Sequence, residues 1–207
     1  MSAADWAFTS RYVVLPAENI DTDQIIPARF LTTTHRDGLG PVAFNDWRYA
    51  ADGTPNSAFP LNRPDAAGAR VLVAGRNFGC GSSREHAVWA LQGADFRAVV
   101  SSQFADIFRG NALGNGLLPI EVDAETLAAL MAPDRPADAR VRVDLETCRL
   151  TLPDGRAVTF PVPPFARHCL LHGIDEMQFL LGALGEVQDY EARHPAAIDT
   201  TRVRQGR

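Results

Sequence analysis

Apolar residues between positions 70 and 131 form short continuous runs separated by stretches with helical spacing. Such runs are typical of strands buried on both faces, and they predict strands at residues 71–75, 98–100 and 117–122. The stretches beside them predict helices at residues 83–91, 104–112 and 124–131, and Asp123 is placed to cap the last. Alternating strands and helices favour parallel pairing with right-handed crossovers. The pattern therefore predicts an α/β fold with a mainly parallel central sheet.

The segments on either side of this region follow other patterns. A short strand is expected at residues 11–15, and a long, mobile loop rich in Gly, Pro and Asn at residues 32–68. Alternating apolar residues predict an appended β section at residues 141–145, 149–152 and 157–160. C-terminal helices are expected at residues 163–171, 174–184 and 186–193, followed by a frayed tail at 196–207. We interpret residues 1–207 as a single domain.

Composition excludes several kinds of chemistry. All 20 basic residues are arginine, so a Schiff-base lysine, a lysine base and a P-loop lysine are excluded. The formal charge of −5 argues against a nucleic-acid partner. Three cysteines without a CxxC pair argue against a disulfide framework and against an iron–sulfur cluster held by this chain. The sequence shows neither a signal peptide nor a membrane-spanning run, which predicts a cytoplasmic protein with no membrane partner.

One glycine-rich segment, GRNFGCGSSREHA at residues 75–87, follows a predicted strand and opens the next helix. Open α/β sheets bind ligands at this edge, and Gly79 and Gly81 let backbone N–H groups approach a ligand. Arg84 lies in the first helical turn, where a cation is disfavoured unless it shares an anion with the helix N–H groups. The segment therefore predicts a carboxylate or phosphate site. The structural alternative is a capping box formed by Ser82 and Glu85.

A serine in this setting is a candidate base. A hydroxyl abstracts protons poorly in water, but a helix N-terminus and a guanidinium group would favour its alkoxide form. Neither GxGxxG nor GxSxG is present, so a dinucleotide fingerprint and a hydrolase elbow are excluded.

Four strings carry a resemblance to a known family: NIDTDQIIP at 19–27, FNDWR at 44–48, NFGCGSSREHA at 77–87 and FADIF at 104–108. From about residue 8 to 190 the chain resembles the small subunits of bacterial 3-isopropylmalate dehydratase, in the aconitase superfamily. The resemblance implies a swivelling β/β/α domain of the aconitase type. It also implies a large-subunit partner with a [4Fe–4S] cluster, and a lyase that isomerises 2-isopropylmalate to 3-isopropylmalate in leucine biosynthesis. No metal or cofactor is expected in this chain.

The resemblance further implies roles for five residues. Ser82 matches the base that removes the carbon-bound proton of the substrate. Ser83 and Arg84 match residues that bind a substrate carboxylate, and bidentate guanidinium–carboxylate pairing suits a dicarboxylate. Thr22 and Asp23 match a pair close to the base, and we include them among the substrate-binding residues.

Two residue pairs outside the GSSRE string are open to more than one interpretation. His168 and His172, spaced i, i+4 around Cys169, could ligate zinc or belong to an ordinary helix, and no third ligand is evident. Asp21 and Asp23 could form a carboxylate pair or an Asx-type turn.

Single residues near the predicted site also have alternatives. His86 could touch the site or hydrogen-bond locally, and Arg29 could contact a carboxylate. Cys80 lies near a helix start, where a thiol can be acidified. Phe44 and Trp47 could cover an interface with the large subunit or fill the core.

Two functional alternatives stand beside the isomerase subunit. The chain could be a non-catalytic module that binds a dicarboxylate for its partner. It could also serve a related hydro-lyase acting on citraconate or homoaconitate, with residues 30–37 deciding between the acids.

Overall fold

The computed structural model describes residues 6–32 and 34–194. They divide into two compact units, one that extends to Gly173 and one that begins at Ile174. The first unit contains every strand of the described residues, and the second contains two helices. The predicted frayed tail at 196–207 lies outside the described residues.

A mixed sheet forms the framework of the first unit. Within the described residues its seven strands are β1 (Ala7–Leu15), β2 (Val71–Ala74), β3 (Ala98–Ser101), β4 (Leu118–Glu121), β5 (Arg140–Asp144), β6 (Arg149–Thr151) and β7 (Ala157–Thr159). They lie in the order β4-β3-β2-β1-β5-β6-β7. Neighbours from β1 to β4 are parallel, whereas β1–β5, β5–β6 and β6–β7 are antiparallel. The predicted α/β class, with its appended β section, is confirmed.

Strand β1 joins the parallel and antiparallel parts of the sheet. Its residues 12–15 pair with β2, while residues 7–11 pair with β5. The apolar pattern predicts mainly the parallel half, because residues 7–10 are polar or partly exposed and form no apolar run. Strand β1 is therefore longer than the apolar run that predicted it, because its first five residues pair with β5.

Helices connect the strands and cover the sheet. The described residues contain α1 (Thr22–Ile25), α2 (Asn45–Arg48), α3 (Glu85–Gly93), α4 (Asp106–Asn115), α5 (Ala124–Leu130), α6 (Pro164–His172), α7 (Glu176–Gly182) and α8 (Leu184–Arg193). As predicted, α3 and α4 connect β2 to β3 and β3 to β4. The cap of α5 is also confirmed, since the Asp123 carboxylate accepts a hydrogen bond from the Thr126 N–H at 2.6 Å.

Two apolar cores lie on opposite faces of the sheet. Leu72 and Val99 pack with residues of α3 and α4, whereas Val73 and Val100 pack with residues of α5 and the antiparallel strands. Both faces of β2 and β3 are covered, which explains their continuous apolar sequence. The carboxyl ends of the parallel strands remain as the edge that carries the glycine-rich segment.

Residues 34–68, predicted as a loop, contain α2 and three short 3-10 helices at 40–42, 60–62 and 64–66. Phe44 and Phe59 are buried in the core, and the Phe44 ring stacks on Trp47 at a centroid distance of 6.0 Å. Of the two roles considered for Phe44, core filling is therefore the one observed. The mobility of this segment stays a prediction.

The second unit exposes most of its large apolar side chains. On α7 and α8 these are Met177, Phe179, Leu180, Leu181, Leu184, Val187 and Tyr190. None of the helices in the described ranges has both the length and the apolar character needed to traverse a bilayer.

Candidate active site

The glycine-rich segment lies between two neighbouring chain segments beyond the ends of β1 and β3. The Phe78 N–H donates to the Gln103 carbonyl at 3.0 Å, and the Gly79 N–H donates to the Ile20 carbonyl at 2.7 Å. These bonds continue the order of the parallel strands past the edge of the sheet. Residues 75–84, called the arch below, are thereby fixed on both sides.

The arch requires glycine where it passes over α4. Gly79 has φ +77°, and a Cβ atom there would lie 2.2 Å from the Phe108 ring. Phe108 is buried against Phe78, with ring centroids 5.1 Å apart, and stacks on Phe104. Gly79 thus lets the arch pack on aromatic rings, which is a different reason from the ligand approach that the sequence suggested.

Ser82 is exposed, and Thr22 holds its main chain. The Ser82 N–H donates to the Thr22 hydroxyl at 3.1 Å, and that hydroxyl donates to the Ser82 carbonyl at 3.1 Å. Thr22 is only 1% exposed, so little water competes for these bonds. Within the described residues the hydroxyls of Ser82 and Ser83 have no hydrogen-bond partner, and both residues are exposed. Both are therefore accessible to a ligand.

Arg84 forms an ion pair with Asp23. Its Nη1 donates to Asp23 Oδ1, with the Arg84 side chain 22% exposed and the Asp23 side chain 54% exposed. Among the described residues Asp23 is the partner of this guanidinium, and its remaining N–H groups are unpaired. The structure therefore brings Thr22, Asp23, Ser82 and Arg84 into one cluster joined by direct bonds, with Ser83 at its edge.

Helix α3 begins at Glu85, two residues later than predicted. Arg84 has extended backbone at the N-cap position, and no side chain caps the helix. The capping-box interpretation of Ser82 is therefore wrong. The physical reason is tertiary: Thr22 holds the Ser82 main chain, and the Arg84 N–H donates to the Ser82 carbonyl at 2.8 Å.

Asp21 and Cys80 support the local structure. Asp21 caps α1 by accepting a hydrogen bond from the Gln24 N–H at 2.8 Å, so the local, turn-like alternative is the one observed for Asp21. The Cys80 thiol donates to the Asn19 carbonyl at 3.3 Å. Burial, and then the nearby Asp21 charge, raise the pKa of the Cys80 thiol above its ordinary value. The expectation of an acidified thiol is wrong.

His86 and Arg29 make local contacts. The His86 ring packs against Trp89, one turn further along α3, with centroids 4.7 Å apart. Arg29 donates to both carboxylate oxygens of Asp46. Hydrogen bonding from Arg29 lowers the pKa of Asp46. Arg29 thus has a carboxylate partner within the chain.

The described residues do not form a metal site. His168 and His172 lie with ring centroids 4.1 Å apart, but no set of three or more His, Cys, Asp or Glu residues in the described part is arranged to hold a metal ion. Cys80, Cys148 and Cys169 are free thiols. The donor set therefore fits neither zinc nor an iron–sulfur cluster.

One polar contact beside the site lies outside every predicted motif. The Asn115 side chain, at the end of α4, donates to Glu85 in the first turn of α3 at 3.3 Å. An Asn-Gly pair at this position signals only the end of a helix. No sequence pattern could have indicated the contact, because the two residues are 30 positions apart.

Comparison with known proteins first defines the class. Residues 10–125 match the family model of the aconitase C-terminal domain. A crystal structure of a 3-isopropylmalate dehydratase from Methanocaldococcus jannaschii has a TM-score of 0.63 and 26% identity, covering 89% of this chain and 99% of that chain. The fold is thus that of an aconitase-type domain.

Full-length relatives then identify the family. The 3-isopropylmalate dehydratase small subunit of Roseiflexus sp. (strain RS-1) is 56% identical over 194 residues, covering 93% of this chain and 95% of the relative. The small subunit of Anaeromyxobacter sp. (strain K) is 58% identical over 182 residues, covering 88% and 94%. This chain belongs to the family of 3-isopropylmalate dehydratase small subunits.

Proposed function

We propose that this chain interconverts 2-isopropylmalate and 3-isopropylmalate together with a large subunit, as a step of leucine biosynthesis in the cytoplasm. The observation that carries the proposal is the exposed, unbonded hydroxyl of Ser82, which Thr22 fixes beside the Asp23–Arg84 pair. Membership of the dehydratase small-subunit family supports the choice of substrate.

Ser82 is the proposed base. It takes the carbon-bound proton next to a substrate carboxylate, a step that builds negative charge on the substrate. The N-terminus of α3, three residues further on at Glu85, and the Arg84 guanidinium supply positive potential that favours the alkoxide. Fixed donors contribute most where charge develops in the transition state. The hydroxide that leaves the neighbouring carbon would be accepted by the cluster of the large subunit, which would act as a Lewis acid. During rehydration Ser82 returns its proton to the carbon that carried the hydroxyl group, and hydroxide adds to the carbon that lost the proton.

Arg84 is the proposed carboxylate ligand, with Ser83 as a second donor. A guanidinium group has five N–H donors in a planar fork. Asp23 occupies one side of the fork, so it orients Arg84 and leaves donors for the substrate. A substrate contact by Thr22 stays a prediction, and the hydroxyl of Thr22 already serves the Ser82 main chain.

We place the [4Fe–4S] cluster in the large subunit, because the side chains described here form no cluster site. Ser82 and Ser83 are open to solvent in this chain. Preorganised donors act most strongly where water is excluded. The large subunit therefore has a second role, which is to close the site over the arch.

To test the proposal, this chain is assembled with a 3-isopropylmalate dehydratase large subunit, for example that of Roseiflexus. The rate of interconversion of 2-isopropylmalate and 3-isopropylmalate is then measured. The wild-type pair should interconvert them. Ser82→Ala should lower turnover by about 10²–10⁴-fold, the usual contribution of a general base, while assembly is retained. Ser102→Ala, on the loop after β3, is the matched control and should turn over normally.

Two other results would replace this proposal. Full turnover by Ser82→Ala, with dicarboxylate binding by the isolated chain, would indicate a non-catalytic binding module. Faster turnover of citraconate or homoaconitate in a substrate panel would keep the lyase chemistry but change the acid.

A further inference from the structure

Asn115 connects three parts of the first unit through its side-chain amide. Its Oδ1 accepts hydrogen bonds from Arg36 Nη2 and from Trp89 Nε1, each at 2.9 Å. Its Nδ2 donates to the Asn111 carbonyl at 2.8 Å and to Glu85 Oε1 at 3.3 Å. A primary amide has two N–H donors and two acceptor positions. The hydrogen-bonding capacity of Asn115 is therefore fully used.

The partners also fix the orientation and identity of this side chain. Arg and Trp side chains can only donate, whereas a carboxylate and a carbonyl can only accept. Asp at position 115 would lose both donors and face the Glu85 carboxylate, and Ala would lose all four bonds. Asn is therefore matched to this position by its chemistry, in addition to ending α4.

The junction formed by Asn115 links residues 34–39 to the start of α3. Arg36 lies in that segment, and its guanidinium also sits over the Trp89 ring at 5.4 Å. Glu85 directly follows Arg84, and Asp23 lies on α1, just before the segment. The segment is thus tied through Arg36 to α3 and α4, and the same Asn115 amide contacts Glu85, the residue that follows Arg84.

We propose that Asn115 is a positioning residue that ties residues 34–39 to α3 through Arg36 and, through Glu85, holds the first turn of α3 next to Arg84. The proposal rests on the proposed function. With the junction intact, the segment is docked before substrate arrives. Without the junction, only a fraction of the molecules has residues 34–39 docked. Substrate binds that fraction, so its apparent affinity for the enzyme falls in proportion to the docked fraction.

The kinetic test uses Asn115→Ala and Arg36→Ala in the assembled enzyme. If the docked fraction falls to about a tenth, KM for 2-isopropylmalate rises about 10-fold. The value of kcat should stay within about 2-fold, because saturating substrate restores the docked form. Asn111→Ala is the matched control, since Asn111 offers the junction only its main-chain carbonyl.

Combining the two substitutions separates positioning from general stability. Both remove the same docking, so the double variant should show the KM of either single variant. Multiplied KM effects, or a lowered Tm with an unchanged KM, would overturn the proposal. Arg36 is exposed, so Arg36→Ala keeps the test usable if Asn115→Ala fails to fold.

Trypsin cleavage of the isolated chain tests the junction without any activity. Cleavage after Arg36 should be about 10-fold faster in Asn115→Ala, because proteolysis follows the undocked population, and unchanged in Asn111→Ala. Cleavage after Arg156, on the β6–β7 turn, is the internal reference. An unchanged rate of cleavage after Arg36 in Asn115→Ala would overturn the proposal that Asn115 holds residues 34–39 in place. Failure of the wild-type assembly to act on isopropylmalates would instead overturn the proposed function.

Discussion

At the scale of single residues, Thr22 has the most direct effect on the position of Ser82. One buried hydroxyl both accepts from the Ser82 N–H and donates to the Ser82 carbonyl. The resemblance implies that Thr22 and Asp23 lie near Ser82, and the structure brings them together: Thr22 bonds the Ser82 main chain and Asp23 pairs with Arg84. The sequence cannot distinguish the roles of Thr22 and Asp23. Folding buries Thr22 and leaves Asp23 exposed, and this difference is what separates their roles.

Replacing Thr22 by Val tests this role with little change of shape. Valine keeps the branched side chain but removes both hydrogen bonds, so the Ser82 main chain loses its fixed position. A small displacement of a reacting group can cost about 10²-fold in rate, and we expect a fall in kcat of that order. Thr22→Ser, which keeps the hydroxyl, should retain most of the activity. Equal kcat for the Val variant and the wild type would contradict the role.

At the scale of elements, contacts between distant segments decide what the local pattern does not. The continuous apolar runs located β2, β3 and β4, since burial on both faces leaves a clear signature. The sequence pattern predicts the start of α3 two residues too early, because the hydrogen bonds to Thr22 keep the arch extended up to Arg84. Likewise the 34–68 segment packs closely at Gly40, where a Cβ would lie 1.9 Å from the Gly93 carbonyl. A composition rich in Gly and Pro cannot distinguish such packing from a free loop.

Helix α5 offers a test of stability against pH. The hydrogen bond from the Thr126 N–H lowers the pKa of Asp123 in the folded chain. A lowered pKa means that the stabilisation is present above the unfolded value of about 3.9 and is lost as pH falls through the folded value. Asp123→Ala should lower Tm at neutral pH by about 2–4 °C, the usual effect of losing an N-cap in a chain of this size.

The matched control for this helix is Asp123→Asn. Asparagine caps helices about as well as aspartate but does not titrate. The wild type should therefore be the more stable of the two at neutral pH, and the difference in thermal melts should shrink as pH falls below the unfolded pKa of about 3.9 and through the lowered folded pKa. A Tm difference that stays constant over this range would show that the carboxylate charge contributes nothing.

At the scale of the whole molecule, apolar surface is distributed unevenly. Helical spacing in residues 174–193 predicts helices with an apolar face, and α7 and α8 are confirmed. The same spacing usually indicates a buried face, yet the large side chains of these helices are exposed. The helical spacing of apolar residues predicts an apolar helix face, but it does not show whether other parts of the same chain bury that face.

This distribution predicts how the isolated chain behaves in solution. Contiguous exposed apolar surface promotes association, so the apparent mass in sedimentation velocity should rise with protein concentration. Replacing Leu180 and Leu181, which are 52% and 60% exposed, by Gln should reduce this dependence. A single monomeric mass at all concentrations would show that the apolar face is inert.

The doubly anchored arch has a consequence for protein engineering. Its backbone is tied to both neighbours and packed on Phe108, so replacements inside it risk the geometry around Ser82. Libraries aimed at new hydroxy acids are better directed at exposed positions in residues 34–39 other than Arg36, whose contacts to Asn115 and Trp89 should be kept. Positions outside the arch are therefore the better starting points for changing specificity.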